Sequence, residues 1–278
     1  MSSTTPRSSP GLDLIGDVHG MRETLDALIE GLGYRRVDTR WAHPKGRTLV
    51  SVGDLLDRGP DSLGCCERLA ELIDAGCGRM ILGNHELNAL HYMADLREHS
   101  PKNREQFAAT LAQIEARPRR WDAIEDFLMG QPTRLLLDEG RLRVIHACWD
   151  AHTLERLPEH LDATILRESA RGGALEDVFE RYIKGPEESC PPYQDQNGHT
   201  RSTRRLPWWR DYASDAPKVA FGHYWFPWAS ELPDRAPGWL GPGENATCLD
   251  FSAGKGGPLL ALRYPEMEFV MVPNRDVR

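Results

Sequence analysis

The chain has 278 residues, of which 40% are hydrophobic and 27% charged, with 34 Lys and Arg against 42 Asp and Glu and a formal net charge of −8. That is enough apolar material for one large packed domain, and the acidic balance argues against a protein that grips an extended nucleic-acid backbone, which needs a basic surface. No run reaches the roughly 18 apolar residues of a membrane span, so no membrane partner is expected.

Residues 1–10 (MSSTTPRSSP) are rich in Ser, Thr and Pro and lack the apolar stretch of a signal peptide. They read as a disordered tail, with residues 11–278 as a single domain. Leu12–Ile15 is predicted as a strand that runs into Gly16-Asp17-Val18-His19-Gly20, and the apolar spacing of Arg22–Gly31 predicts a helix. Thr48–Val52 is a second strand, ending at Gly53-Asp54; Ser62–Ala75 is a helix stopped by Gly76; Arg79–Leu82 is a third strand, ending at Gly83-Asn84-His85-Glu86. Helices are predicted over Leu87–Glu98, Arg104–Arg117 and Arg119–Met129, then a hairpin of Arg134–Leu137 and Leu142–His146. Residues 150–184 read as helical pieces and 185–217 as an irregular loop. Strands follow at Lys218–Phe221, Thr247–Phe251, Leu259–Arg263 and Glu268–Val272. The alternation places the chain in the α/β class. The six cysteines contain no CxxC pair, which suits free thiols in a reducing cytoplasm.

Five polar groups each follow an apolar strand: Asp17 with His19, Asp54 with Asp57 and Arg58, Asn84 with His85, then His146 and His223. Glycine precedes four of them (Gly16, Gly53, Gly83, Gly222), which allows unusual backbone angles or close approach. Strand ends on one edge of a sheet converge, so these residues can share a pocket. Carboxylate, imidazole and amide oxygen suit divalent ions such as Mn²⁺, Fe or Zn²⁺. Asp17, His19 and Asp54 are assigned to one ion and Asp54, Asn84, His146 and His223 to a second, with Asp54 bridging ions about 3.5–4 Å apart and activating a water as nucleophile. His85 then serves as proton donor, Asp57 orients it, and Arg58 offers a fork to phosphate oxygens. Arg201, Arg204 and Arg205 are candidates for a second phosphate contact.

The bland readings differ in weight. The aromatic cluster Trp208, Trp209, Tyr224, Trp225, Phe226 and Trp228 reads as a packed lid core before a base-stacking platform. The remaining histidines, His91 among them, lack a strand-end setting and read as surface residues. Glu86 reads as a cap or register holder, and Cys148 has no nucleophilic work beside two ions.

The blocks Asp17-Val18-His19-Gly20, Gly53-Asp54 through Asp57-Arg58-Gly59, and Gly83-Asn84-His85-Glu86 together resemble the signature of calcineurin-like metallophosphoesterases, in the phosphoprotein-phosphatase branch. His146 and His223 fall where later histidine blocks stand, and Cys248-Leu249-Asp250-Phe251 resembles the closing segment. The resemblance implies a β-sandwich flanked by helices on both sides and a dinuclear centre often filled with Mn²⁺. Two departures concern the substrate side: Ala147-Cys148-Trp149 replaces the usual pair of glycines, and Tyr224-Trp225 follows His223. The leading expectation is a phosphomonoesterase of the Ser/Thr protein phosphatase type. The runner-up is hydrolysis of dinucleoside polyphosphates such as diadenosine tetraphosphate. A catalytically inactive metal-binding scaffold is the reading from another class, and the retention of His85 and Arg58 argues against it.

Overall fold

Adjacent strand residues are buried in different cores, and that fixes the layering. The computed structural model describes residues 11–194, 200–228 and 236–277; residues 1–10, read above as a tail, lie outside them. In chain order the elements are β1 (Leu12–Ile15), α1 (Arg22–Leu32), β2 (Arg35–Val37), β3 (Arg40–Ala42), β4 (Thr48–Ser51), α2 (Ser62–Asp74), β5 (Gly78–Met80), α3 (Asn84–Met93), α4 (Pro101–Ala116), α5 (Pro118–Met129), β6 (Leu135–Leu137) and β7 (Leu142–Val144). They continue with α6 (Ala151–Arg156), α7 (Ala163–Glu168), α8 (Glu176–Lys184), β8 (Glu187–Gln194), β9 (Thr200–Arg205), β10 (Lys218–Phe221), β11 (Ala246–Cys248), β12 (Leu259–Tyr264) and β13 (Glu268–Val272). Leu14 and Val50 share one core with Val144 and Ala220, whereas their neighbours Ile15, Leu49 and Val219 lie in the other. The two-residue period sends alternate side chains to opposite faces, so both faces of each sheet must be covered.

One sheet has the order β13-β12-β1-β4-β5 and the other β11-β10-β7-β6. They pack face to face as a β-sandwich flanked by helices, the architecture expected from the sequence. In the first sheet β1, β4 and β5 run parallel; in the second β7, β10 and β11 do. Parallel strands end on one edge. That edge carries Asp17, Asp54 and Asn84 beyond the first sheet, and His146, His223 and Asp250 beyond the second.

The departures from the expected elements have local causes. Helix α3 begins at Asn84 and not Leu87, because the Glu86 carboxylate reaches back to the Gly83 N–H at 2.8 Å. Asn84 and His85 therefore sit in a helical first turn. Residues 185–217, expected to be irregular, contain the β8–β9 hairpin and a short helical turn at Trp208–Arg210. Pro191 and Pro192 lack N–H donors, and the pairing register shifts between Ser189 and Tyr193, which hides the strand period. The β2–β3 hairpin is too short to show a period. Strand β11 stops at Cys248, short of the expected Phe251, and so frees Asp250. All six cysteines are unpaired, and among the described residues no helix is long and apolar enough to cross a membrane.

His91 corrects another expectation: it is buried, its Nε2 3.0 Å from Leu166 O and 2.9 Å from Ser169 Oγ, and it ties α3 to α7. Burial lowers its pKa to about 4 from an ordinary 6.5. The folded protein keeps this ring neutral while the unfolded chain takes up a proton near pH 6.5. Its contribution is therefore complete above that pH and is lost as pH falls towards 4. Between pH 7 and pH 5 the wild type should lose about 2 kcal/mol more unfolding free energy in urea than His91→Gln. Equal losses would contradict a neutral buried ring.

Candidate metal centre

The loops after β1 and β4 are stitched together, Val18 N and His19 N both donating to Asp54 O at 2.9 and 2.8 Å. His19, Asp54, Asp57, Arg58 and His223 take positive φ angles of 50°, 55°, 68°, 71° and 68°. Such angles are costly for residues with a Cβ and persist only where the surroundings impose them. The sequence pattern located this freedom in the preceding glycines, but of the four only Gly53 has positive φ, at 97°. Gly83 and Gly222 are instead required by proximity: a Cβ there would come within 2.2 Å of Asp54 Oδ1 and 2.0 Å of Asp17 Oδ1.

Glu86 holds this arrangement. Fully buried, it accepts from Asp54 N (2.7 Å), Leu55 N (2.7 Å), Leu56 N (3.2 Å) and Gly83 N (2.8 Å). Burial and the Asp54 charge push its pKa up to about 7, while the N–H groups of Asp54, Gly83 and Leu55 pull it back.

Around Asp54 the donors converge. His19 Nδ1 lies 3.0 Å from Leu56 O and His146 Nδ1 2.9 Å from Val52 O, so both rings donate from Nδ1 and present the Nε2 lone pair inward. Those Nε2 atoms stand 3.7 and 3.5 Å from the Asp54 carboxylate. Two donor groups result, His19–Asp54–His85 and Asp54–His146–His223, with Asp54 common to both. Asn84 Oδ1 lies 3.1 Å from His146 Nε2 and 2.7 Å from His223 Nδ1. Turned over, the amide nitrogen would donate to the same two rings and to Asp54 Oδ2 at 3.2 Å. With Oδ1 inward the amide adds an oxygen lone pair to the space that the rings and carboxylates face; turned over, its NH₂ occupies the lone pairs of both rings.

Asp17 accepts from His223 N at 2.9 Å through Oδ2, while its Oδ1, His19 Nε2 and His223 Nε2 are buried without a hydrogen-bond partner. Burial, with the charges of Asp250 and Asp54, raises the Asp17 pKa well above the usual carboxylate range. Burial also holds His19 and His223 well below the usual imidazole value, keeping both neutral. For Asp54 burial acts upward, but the neighbouring His146 and His85, with the His85 N–H, outweigh it and bring the pKa down to about 2. Crowded acids, neutral imidazoles and orphaned lone pairs fit divalent cations.

His85 joins the cluster from the side. Its Nδ1 is 2.5 Å from Asp57 Oδ2, and its Nε2 is 3.5 Å from Arg58 Nη2 and 4.0 Å from Asp54 Oδ2. Burial opposes its charge, yet Asp54 and Asp57 prevail and hold its pKa above the ordinary value. Asp57 is itself fixed by Thr110 Oγ1, which donates to Oδ1 at 2.5 Å, and its N–H donates to Ser62 Oγ at 2.9 Å. Thr110 was not foreseen; its one sequence signal is a polar residue between Phe107 and Ile114 on the buried stripe of α4. Gly254 was also missed: a Cβ there would lie 2.6 Å from Arg58 Cδ and 2.7 Å from His19 Cδ2.

The structure separates the two hairpin arginines. Arg205 Nη1 donates to His223 O at 3.0 Å, but Arg204 is 66% exposed and engaged by Glu188. Asp250 accepts from Trp225 N (2.7 Å) and Ser252 N (2.9 Å), and the sequence pattern gave it no role. Trp208, Trp209, Tyr224 and Phe226 form a packed layer in which Trp209 meets Phe221, Tyr224 and Phe226 at 5.3, 4.9 and 5.8 Å, as the lid-core reading expects. Cys148 is buried, and burial pushes its thiol up to about 12, so it stays protonated.

A sandwich that gathers oxygen and nitrogen donors from both sheets at one edge, beside a histidine–aspartate pair, defines a metallophosphoesterase. Residues 12–253 match the profile of the calcineurin-like phosphoesterases, and the chain belongs to that family of phosphoric ester hydrolases. It is 29% identical over 274 residues to the bis(5'-nucleosyl)-tetraphosphatase PrpE [asymmetrical] of Geobacillus thermodenitrificans, covering 95% of this chain and 94% of that one. It is 30% identical over 270 residues to the protein of the same name from Halalkalibacterium halodurans, covering 95% and 94%. A protein serine/threonine phosphatase from Saccharomyces cerevisiae with similarity to human phosphatase PP5 shares the fold, with a TM-score of 0.55 and 14% identity over 98% of this chain and 82% of that one.

Glu86→Gln tests the buried anchor. One carboxylate oxygen becomes an NH₂ group facing backbone N–H donors, and the protein should lose about 3 kcal/mol or more in urea unfolding. A loss below about 1 kcal/mol would mean that those N–H groups are satisfied otherwise.

Proposed function

We propose that this protein hydrolyses dinucleoside polyphosphates, with Asp17, His19 and Asp54 holding one divalent ion and Asp54, Asn84, His146 and His223 a second. The observation that carries the chemistry is Asp54, the one carboxylate common to both donor groups. End-to-end similarity to bis(5'-nucleosyl)-tetraphosphatases turns the reading from the phosphomonoesterase first expected to the runner-up. The fold does not decide between them, since a protein phosphatase shares it. Family membership also speaks against an inactive scaffold.

The donor set suits Mn²⁺ first, with Fe and Zn²⁺ as alternatives. Bound there, the ions would polarise a phosphoryl oxygen and lower the pKa of a water molecule. The chain supplies the rest. His85 commits Nδ1 to Asp57 and holds a transferable proton on Nε2, which faces the cluster; the leaving oxygen takes that proton. Thr110 keeps Asp57 from turning away. Arg58 binds phosphate oxygens, and Arg205, anchored on His223 O, supplies a second guanidinium. Arg204 has no part in this reading. The six unpaired thiols suit a cytoplasmic setting.

Asp54→Asn should reduce bound metal from about two ions to fewer than one per chain by elemental analysis; full occupancy would remove its bridging role. Diadenosine tetraphosphate, a phosphopeptide and p-nitrophenyl phosphate, assayed side by side with Mn²⁺, test the substrate. The dinucleotide should have the highest kcat/KM, and His85→Asn should lower it about 10²–10⁴-fold with metal content intact. Preference for the phosphopeptide would restore the phosphatase reading. Product analysis, ATP plus AMP against two ADP, assigns the bond that is cut.

A further inference from the structure

One aromatic residue stands apart from the packed layer. Trp225 has φ 51°, a left-handed angle that a bulky residue rarely adopts. Its N–H donates to the buried Asp250 Oδ2 at 2.7 Å, while Asp250 Oδ1 accepts from Ser252 N at 2.9 Å. One carboxylate thus fixes both the backbone of Trp225 and the start of the turn that carries Lys255. The Trp225 ring then lies 6.2 Å from the His19 ring, with the Arg58 guanidinium carbon and the Lys255 ammonium each 3.8 Å from its centroid. The two cations are therefore no more than twice 3.8 Å apart, at the rim of the donor cluster.

In the proposed hydrolysis Arg58 and Arg205 already meet the attacked phosphoryl group, so Lys255 is a third cation at the same rim. Two cations over one ring can each meet a different phosphoryl group, so a ligand with adjacent phosphoryl groups engages both. Gly254 lets the Arg58 side chain pass close over the turn that carries Lys255, since a Cβ there would lie 2.6 Å from Arg58 Cδ. We infer that Lys255, seated on Trp225 beside Arg58, is a specificity-determining residue that binds the phosphoryl group next to the one attacked, and that Trp225 is the positioning residue for both cations. The inference rests on the polyphosphate reading above and says which residues recognise the chain of phosphates.

Calorimetric titration of the Mn²⁺-loaded protein with methylenediphosphonate (two linked phosphoryl groups) and methylphosphonate (one) tests it without turnover. Metal chelation by the probe is the same for every variant and cancels in the comparison. Lys255→Gln should weaken the diphosphonate about tenfold and methylphosphonate less than about twofold, with Lys255→Arg restoring the difference. Equal weakening of both probes, or an unchanged diphosphonate, would overturn the inference. If the wild type cleaves no dinucleotide, the substrate reading falls and the titration still judges Lys255. If it cleaves the dinucleotide but shows no diphosphonate contrast, Lys255 falls alone.

Discussion

Glu86 has no access to water, and its carboxylate accepts from the backbone N–H groups of Gly83, Asp54, Leu55 and Leu56. Those four groups belong to two loops that follow different parallel strands. A buried N–H left without an acceptor is costly, so the loops can approach only if something accepts from both. Glu86 does so from the first turn of α3, and the same contact starts that helix early enough to carry Asn84 and His85. The position of Asp54, common to both donor groups, thus depends on a residue that need not touch a metal or a substrate.

The strained angles at His19, Asp54, Asp57, Arg58 and His223 cluster around this joint. Each residue is turned out of the strand direction, which brings His19, Asp54 and His223 into the donor cluster and sets Asp57 against His85 and Arg58 on Trp225. Dense hydrogen bonding holds these angles: His19 to the Asp54 and Leu56 carbonyls, Asp57 to Ser62 and Thr110, His223 to Asp17 and Arg205. A site assembled this way is rigid before it binds anything, which electrostatic catalysis requires.

Much of this was legible in the sequence because it is local. An apolar run followed by a polar residue marks a strand end, and parallel strands bring their ends together, so Asp17, Asp54, Asn84, His146 and His223 meet as the pattern predicts. What stayed hidden depends on tertiary approach. Thr110 reaches Asp57 across half a helix bundle's width of sequence, and nothing near residue 57 announces it. Gly254 matters only because Arg58 and His19 pass over it. Asp250 follows a strand like the others, but β11 is so short that the carboxylate seemed to lie within it. The β8–β9 hairpin was lost because its strands face solvent on both sides and two prolines break the alternation. Arg204 and Arg205 could not be separated in sequence; pleating sends neighbouring residues to opposite faces, and only Arg205 reaches His223.

The same edge explains why fold alone cannot name the substrate. The donors at the strand ends are set by the sandwich, while the residues proposed to meet the rest of a substrate lie on segments outside its two sheets: the β8–β9 hairpin with Arg205, the Tyr224-Trp225 step after His223, and the turn with Lys255. The last two of these segments meet at Trp225. Its ring carries the arginine of the second block and the lysine of the closing turn, and its backbone is locked by Asp250 at the end of β11. Changing Trp225 or the turn with Lys255 would shift these two cations relative to the donor cluster. Substrate selectivity can therefore be set by side chains that the donor cluster does not use.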